Sequence, residues 1–336
     1  MLKRLLFLIT ALLAACNVKP PPAPVVVSPT FIQGRYAYLG HGEKLKVLDI
    51  STPTQPVVVA ELGEAKKLVG QAQVVGDRLY ATAWDYQSQA DFLIYDLKNP
   101  AQPVLLGSFP LGTNYLSRFL ADGRYAYLVT SPDIIVVDVS NGAQPKEVGR
   151  VAAQVGQQMV KLGDTLYAAY GICGSRSICQ SRFVTVDVRD PAKPVATEHD
   201  PQARFYYSYL ASFTADREIS LGVSEIVAPN TLGHTLRVYD WREPTAPKLL
   251  RTIPAPGLVR AVSGQRALIM PLNSRTVSVA AFTSGGTLEV LREVALPDQA
   301  YISDVVINGN YAYLVLTRPT GETYVQDNIL LAIEMR

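Results

Sequence analysis

The sequence predicts an all-β protein made of repeated four-stranded units, and three observations lead to that prediction. After the apolar N-terminal segment, no amphipathic helical run reaches ten residues. A glycine turn followed by a short strand recurs every 40 to 53 residues, a spacing typical of solenoids, propellers or arrays. Finally, an aspartate that ends an apolar run is followed seven residues later by a proline at five places: Asp49/Pro56, Asp96/Pro103, Asp138/Pro145, Asp187/Pro194 and Asp240/Pro247.

The turn-plus-strand unit occurs seven times. Its clear copies end at Tyr38, Tyr80, Tyr127, Tyr167 and Tyr313, and its degenerate copies end at Ser220 and Leu268. In the third unit, β-branched and aromatic runs between turn residues predict four strands: Leu116–Leu120, Tyr125–Val129, Ile134–Val139 and Glu147–Val151. Because a four-stranded unit of this length is one propeller blade, we expect a seven-bladed β-propeller with four-stranded antiparallel blades.

Each repeated aspartate stands where a third strand gives way to a turn. A carboxylate there can accept hydrogen bonds from the next backbone N–H groups, and the prolines that follow stiffen the turn. In the third unit Gly142 takes the position that an additional proline holds in the other four. A catalytic or calcium-binding role would require carboxylates from five separate units to converge. The sequence therefore favours structural turn caps at Asp49, Asp96, Asp138, Asp187 and Asp240.

The two ends of the repeat array suggest how the ring closes. The last unit stops at Arg336, directly after its third strand, and Val25–Val27 precedes the first strand of unit one without a partner in its own unit. An unpaired strand edge is a liability that proteins usually cover. We expect Val25–Val27 to supply the fourth strand of the last blade, so that the ring is closed by an N-terminal strand.

The N-terminus reads as an export signal. Lys3 and Arg4 precede an apolar stretch from Leu5 to Leu13, which is too short to span a bilayer. Its Leu-Ala-Ala-Cys ending resembles a bacterial lipoprotein signal, in which Cys16 is lipidated; the alternative is an ordinary cleaved signal with an incidental cysteine. The predicted organisation is a signal peptide over residues 1–15, a lipidated, proline-rich tether over 16–24 and the propeller over 25–336. Asn17 follows the cysteine, so the resemblance implies the outer membrane if the host has one.

The charge balance bears on partners. The chain has 31 Lys and Arg and 29 Asp and Glu, and removal of Lys3 and Arg4 leaves 29 of each. A chain near zero net charge gives no reason to expect nucleic acid as a partner. We expect contact with a membrane through the lipid anchor, in the cell envelope.

Two cysteines besides Cys16 lie close together in the sequence, Cys173 and Cys179. In an exported protein such a pair is expected to form a disulfide. A redox or metal site is the alternative, but a tetrahedral metal site needs more ligands than two cysteines, and no histidine lies close in sequence.

The repeats resemble a known family. The strings GRYAYLG, LKVLDIS and GRYAYLV, followed by IIVVDVS, are similar to those of the LVIVD-repeat family of bacterial and archaeal surface proteins. The resemblance covers nearly all of residues 31–336, strongly in units one to four and weakly in the rest. It implies a propeller fold, and it implies no particular activity or site residue.

Candidate binding residues lie in the loops between second and third strands and in the blade junctions, which share one face of a propeller. Loops carry sites more often than strands do, and aromatic and arginine side chains suit a protein or glycan partner. The alternative is that several of them only pack between blades. The candidates are Trp84, Tyr86, Tyr115, Arg176, Arg182, Arg204, Tyr206, His234, Tyr301, Arg318 and Tyr324.

Enzyme motifs are missing from the sequence: no GxSxG, HExxH or phosphate-loop string occurs. We therefore expect a binding or scaffold protein without a cofactor. The alternative is a metal-dependent hydrolase or lyase with a calcium ion in the central channel. For that site the predicted inner strands offer few ligands: Gln71, Gln157, Gln158 and Asp304.

Overall fold

The computed structural model describes residues 26–27, 30–63, 67–85, 89–112, 116–130, 132–153, 155, 158–173, 179–199, 205–213, 218–228, 231–240, 242, 248–271, 275–298, 300–319 and 326–336, with only the backbone given for some strand residues. Regular structure in these ranges is entirely β-strand. Within the same ranges there is no helix long and apolar enough to cross a membrane.

In the described part of the chain, a short strand, β1 (Val26–Val27), precedes seven antiparallel sheets that follow one another along the sequence. Sheet one contains β2 (Ile32–Gln33), β3 (Tyr36–His41), β4 (Lys44–Asp49) and β5 (Val57–Leu62). Sheet two contains β6 (Lys67–Val75), β7 (Arg78–Asp85), β8 (Ala90–Asp96) and β9 (Val104–Gly112). Sheet three contains β10 (Leu116–Ala121), β11 (Tyr125–Thr130), β12 (Asp133–Asp138) and β13 (Lys146–Ala152).

The remaining sheets repeat the pattern, with longer second and third strands in sheets four, five and seven. Sheet four contains β14 (Gln158–Leu162), β15 (Thr165–Cys173), β16 (Cys179–Asp187) and β17 (Val195–His199). Sheet five contains β18 (Phe205–Phe213), β19 (Glu218–Ala228), β20 (Thr231–Asp240) and β21 (Lys248–Pro254). Sheet six contains β22 (Leu258–Ser263), β23 (Arg266–Met270), β24 (Thr276–Phe282) and β25 (Leu288–Ala295). Sheet seven contains β26 (Tyr301–Asn308), β27 (Tyr311–Pro319) and β28 (Gln326–Glu334).

The prediction of an all-β fold built from four-stranded antiparallel sheets is confirmed. The four strands predicted for the third unit each agree with β10 to β13 to within one residue at either end. The agreement has a physical basis, because alternating apolar residues and turn residues mark where a strand can bury one face and where it must stop.

Neighbouring sheets pack in chain order, and the seventh packs on the first. Between sheets one and two, the Val69 N–H donates to the Gly42 carbonyl oxygen at 2.8 Å. Between sheets seven and one, the Asn328 side-chain amide donates to the Gly40 carbonyl oxygen at 2.7 Å. Buried apolar residues of sheets one, two and seven form one continuous cluster, which includes Tyr38 and Tyr313. The sheets therefore succeed one another around a common centre.

The first strands of the sheets are the innermost. From sheet two onward, each first strand contacts the next one, from β6 and β10 to β22 and β26. The fourth strands carry mostly exposed side chains, as in β5 and β25. The first strands thus line the central channel, and the fourth strands form the outer wall.

The antiparallel order also defines two faces. The turns between first and second strands and those between third and fourth strands lie at one end of every sheet, here called the turn face. Several of the former contain a glycine with positive φ, such as Gly34 at 57° and Gly309 at 58°, a conformation that side chains disfavour. The loops between second and third strands and the junctions between sheets lie at the opposite end, here called the loop face.

The N-terminal strand does not lie where the sequence predicted. We expected Val25–Val27 to complete the last blade, but β1 pairs with β14 of sheet four, with Val26 opposite Leu162 and Val27 opposite Lys161. Among the described residues, sheet seven has three strands. A strand of two residues can pair with any free edge, and the inner edge of β14 faces the channel through which the chain enters. The predicted closure through the last blade is therefore wrong.

Candidate functional site

Polar and charged residues stand at one level of the channel wall. Gln71, Arg118 and Asp304 each lie five residues before the glycine of the following turn, and Arg260 lies four residues before its glycine. The strand register shifts at or next to these residues, between Leu116 and Arg118, between Val259 and Ala261 and between Ile302 and Asp304. A bulge turns side chains away from the regular alternation of a strand. The first strands therefore carry polar groups where a regular strand would not.

Three charged residues form what we call the channel cluster: Arg118 of sheet three, Arg260 of sheet six and Asp304 of sheet seven. Burial raises the pKa of the Asp304 carboxyl group, and the positive charges of Arg118 and Arg260 offset part of that rise. Arg260 is buried, with 6% of its surface exposed, whereas Asp304 is partly buried. Because Arg118 and Asp304 come from sheets that are not neighbours, their charges act on each other across the channel.

Two glutamine side chains of the second sheet form hydrogen bonds with the backbone of the third sheet. The Gln71 side-chain amide donates to the Phe119 carbonyl oxygen at 3.3 Å, and its oxygen accepts from the Phe119 N–H at 3.2 Å. Gln73 makes the same pair of bonds with Ala121, at 3.0 and 2.8 Å. These amides extend the pairing of one first strand to the next, so they join sheets.

The channel residues predicted as calcium ligands do not form a metal site in the described part of the chain. Gln71 bonds to backbone, Asp304 lies in the field of two arginines, only the backbone of Gln158 is described, and Gln157 lies outside the described residues. In those residues no three His, Cys, Asp or Glu side chains converge closely enough to hold a metal ion. Two guanidinium groups at this level oppose a divalent cation and favour an anion.

Four of the predicted binding-face residues are described with their side chains, and all four lie near strand ends at the loop face. Trp84 lies near the end of β7, His234 near the start of β20, Tyr301 at the start of β26 and Arg318 near the end of β27. They belong to sheets two, five and seven, so they do not come from one blade. Arg182 and Tyr206 are placed by backbone only. The others lie outside the described residues: Tyr86, Tyr115, Arg176, Arg204 and Tyr324.

The described loop-face residues differ in their surroundings. Tyr301 is 50% exposed, so it offers a contact surface. The Trp84 ring packs where a Cβ atom of Gly70 would otherwise lie, at 2.5 Å from the nearest ring carbon, so it also fills space between strands. Burial lowers the pKa of His234, which keeps its imidazole neutral at physiological pH.

The repeated aspartates all make the same short-range contact. The carboxylate of Asp138 accepts from the Ser140 N–H at 2.9 Å and from the Ser140 hydroxyl at 2.6 Å. Asp49 accepts from the Ser51 N–H at 2.8 Å. The same bond from the backbone N–H two residues ahead is made to Asp96, Asp187 and Asp240. This is the Asx-turn geometry, and it lies on the turn face, away from the channel cluster.

The two neighbouring cysteines face each other across a hairpin. The register of β15 and β16 places Cys173 opposite Cys179. Opposed residues in antiparallel strands lie about 4.5–5.5 Å apart at their Cα atoms, which falls within the range that a disulfide spans. The side chains of both residues lie outside the described part, so the disulfide stays a prediction.

Three segments of the sequence match one family model. The family model described as LVIVD repeat matches residues 30–62, 119–153 and 300–317. The chain carries LVIVD repeats. The first match covers sheet one, the second covers most of sheet three, and the third covers the first strand and most of the second strand of sheet seven. The resemblance read from the GRYAY strings is thus confirmed. No curated protein sequence matches the chain.

Solved structures with a similar fold place the LVIVD repeats in a β-propeller. A protein from Lactobacillus plantarum is 12% identical with a TM-score of 0.55, over 80% of this chain and 86% of that one. A protein from Bacteroides fragilis, described as a candidate 6-phosphogluconolactonase, is 11% identical with a TM-score of 0.53, over 95% and 97%. Sqt1 from Saccharomyces cerevisiae is 8% identical with a TM-score of 0.53, over 93% and 97%. Identities this low show the fold alone.

Sequence reasoning found one member of the channel cluster and missed two. The criterion of a metal ligand on an inner strand selects Asp304 because it is acidic, and the same criterion does not select Arg118 or Arg260. The signal was present in the repeat register: Arg118 and Asp304 occupy the same position relative to the turn glycine. An alignment of the units on that glycine places Arg118 and Asp304 at the same position and Arg260 one residue away.

Proposed function

We propose that this protein is a ligand-binding β-propeller of the cell envelope, which holds a small carboxylate in its channel between Arg118 and Arg260. The observation that carries this proposal is the channel cluster, in which three sheets bring two guanidinium groups and one carboxylate to one level. Charged groups of this kind are costly to enclose unless they serve an ion pair or a ligand. Two guanidinium groups at the level of a single carboxyl group favour an anionic ligand.

The chemistry of the cluster narrows the ligand class. A guanidinium group presents a planar fork of N–H donors that matches a carboxylate. Asp304, when ionised, accepts hydrogen bonds, so it suits a hydroxyl group on the same ligand. A small hydroxycarboxylate satisfies both requirements. The loop-face mouth is the route of entry in this proposal, because β1 lies at the other mouth.

The cellular setting in this proposal follows from the sequence. The signal over residues 1–15 would direct export. Lipidation at Cys16 would hold the propeller at a membrane, the outer one if the host has one. The loop face, with Tyr301 exposed near its rim, would then be available for the protein or glycan partner expected from the sequence. Lipid attachment, partner and ligand are separate parts of the proposal, and each can be tested without the others.

The competing proposal, a metal-dependent hydrolase or lyase, has less support. The acidic residue that this alternative assigns to the channel is Asp304, and the charges of Arg118 and Arg260 act on that group. The Bacteroides fragilis protein shares only the fold, at 11% identity. Its description carries no residue of this chain into a catalytic role.

Titration calorimetry tests the ligand class. The purified chain would be titrated with lactate and malate, with lactamide as the uncharged control ligand. We expect the acids to bind and lactamide not to bind, and Arg118→Gln to weaken binding about tenfold, the effect of about 1.4 kcal/mol. The matched control is Arg124→Gln, because Arg124 is exposed at the turn face of the same sheet and stacks on Tyr125 at 5.0 Å. Failure of every hydroxycarboxylate to bind the unmodified protein would contradict the proposal.

A further inference from the structure

The N-terminal strand shows which mouth of the channel the chain passes through. Val26 lies opposite Leu162, directly before the turn at Gly163, and Val27 lies opposite Lys161, one residue farther into the channel. The pairing is antiparallel, so β1 runs from the turn face inward. The strand β1 therefore begins at the turn face, with Val26 as its outermost residue.

The distance from this entry point to the predicted lipid anchor is bounded by chain length. Nine residues, 17–25, separate Cys16 from Val26. A fully extended chain spans at most about 3.3–3.6 Å for each residue, so these residues reach about 30 Å. A short tether that leaves from the centre of one face keeps that face near the anchoring membrane.

The outer edge of the same face is apolar. Exposed apolar residues cluster near the starts of fourth strands, directly after the turns of the turn face. Val57 is 60% and Val104 is 62% exposed, and exposed apolar side chains that recur along one edge of several sheets are consistent with a contact surface. The set, here called the apolar rim, comprises Val57, Val58, Val59, Val104, Leu105, Val195, Leu249, Leu250, Val290 and Leu291.

Polar turns lie inside this apolar rim. Arg35 and Arg124 occupy equivalent turns and stack on the next tyrosine, Arg35 at 5.2 Å from the Tyr36 ring centre. The repeated aspartates share this face, and Arg35 Nη2 lies 2.9 Å from Asp49 Oδ2. Side chains of both charges beside aromatic and aliphatic groups suit the boundary between lipid headgroups and acyl chains. The length of the segment between Cys16 and Val26 and the composition of the apolar rim thus indicate the same surface.

We propose that the turn face lies against the lipid surface, with the apolar rim at the headgroup boundary, and that the loop face points away from the membrane. This orientation rests on the lipid anchor at Cys16 proposed above. In it, the channel cluster opens to the side away from the membrane, and the loop face is turned toward the solvent, where a partner can reach it.

Fluorescence quenching by lipids that carry a nitroxide on the acyl chain tests the orientation. The lipidated full chain would be reconstituted into liposomes in two forms. One carries Val104→Trp together with Trp84→Phe and Trp241→Phe, so its single tryptophan lies on the rim. The other carries only Trp241→Phe, which leaves Trp84 at the loop face. Equal melting temperatures in the two forms would show that both are folded.

We expect the rim tryptophan of the first form to be quenched several-fold more strongly than Trp84 of the second. Stronger quenching of Trp84, or equal quenching of the two, would overturn the orientation. Absence of quenching in both forms while the protein floats with the liposomes would overturn it as well. Failure to float would refute the lipid anchor itself, and the orientation with it, while calorimetry in solution would still report on the ligand proposal.

Discussion

Gln73 and Ala121 belong to different sheets and are joined by two hydrogen bonds. The Gln73 amide nitrogen donates to the Ala121 carbonyl oxygen at 3.0 Å, and its oxygen accepts from the Ala121 N–H at 2.8 Å. The Gln73 side chain is fully buried, so it extends the backbone pairing from one first strand to the next without water. The Gln73 side chain thus bonds both the N–H and the C=O group of Ala121 at the edge of sheet three that faces sheet two.

The first prediction concerns this contact. Gln73→Leu should lower the free energy of unfolding by about 1–3 kcal/mol, because the Ala121 N–H and C=O groups lose their partners while buried. Gln71→Leu is the matched control, since its bonds to Phe119 are longer and only partly buried, and it should cost less. Urea denaturation measures both. Equal stability of the Gln73 variant and the unmodified protein would show that water replaces the amide.

The second prediction concerns the ion pair between sheets three and four. Lys161 Nζ lies 2.9 Å from Asp122 Oδ2, and their side chains are 14% and 10% exposed. Burial alone would raise the pKa of Asp122, but hydrogen bonds from the Tyr125 N–H and from Lys161, together with the lysine charge, hold that pKa below its usual value. The pair therefore stabilises the fold at neutral pH, and this contribution is lost as pH falls below about 4 through the lowered pKa.

Asp122→Asn should accordingly destabilise the protein at neutral pH by about 3 kcal/mol and flatten its loss of stability in acid. Lys161→Met and the double variant complete a mutant cycle. Thermal unfolding across the acidic range provides the measurement. Additive effects of the two substitutions would mean that the pair contributes no coupling energy.

Much of the fold could be predicted because the residues within each unit are sufficient to indicate its strands and turns. The four strands around Tyr127 follow from alternating apolar residues and turn residues, and the aspartate turns follow from one carboxylate and the next N–H groups. Each of these depends on residues close in sequence. The placement of β1 could not be predicted in this way, because a strand of two valines has no residue pattern that favours one free strand edge over another.

The channel cluster was only partly predictable for a different reason. Arg118, Arg260 and Asp304 are far apart in sequence, and only the arrangement of the sheets brings their charges into one space. The repeat register gives their common level, but it does not say which side chains a bulge turns toward the channel. That orientation needs the three-dimensional pairing of the strands.

The third prediction separates turn capping from ligand binding. Asp138→Ala should lower the free energy of unfolding by about 1 kcal/mol through loss of the bond from the Ser140 N–H. It should leave carboxylate binding unchanged, because Asp138 lies on the turn face. Thermal unfolding and calorimetry on the same preparation check both expectations. Lost binding at unchanged stability would place the repeated aspartates in a functional site.

The fourth prediction is a pH dependence of ligand affinity. Burial raises the pKa of Asp304, so this group takes up a proton more readily than an ordinary carboxyl group as pH falls. Protonation removes a negative charge beside the bound anion, while the carbonyl oxygen of the neutral carboxyl group still accepts a hydrogen bond from the ligand hydroxyl. Affinity for lactate should therefore rise from neutral to mildly acidic pH. In Asp304→Asn, affinity at neutral pH should be higher and this pH dependence should vanish. A dependence of the same size in the variant would assign the titration to another group.

The most direct test of the central claim is a crystal structure of the protein with the hydroxycarboxylate that calorimetry shows to bind most tightly. We expect electron density for the ligand in the channel. Its carboxylate should lie against the Arg118 and Arg260 guanidinium groups, and its hydroxyl group should lie within hydrogen-bond distance of Asp304. Density for the ligand at the loop face or on the outer wall, with the channel cluster unchanged, would contradict it.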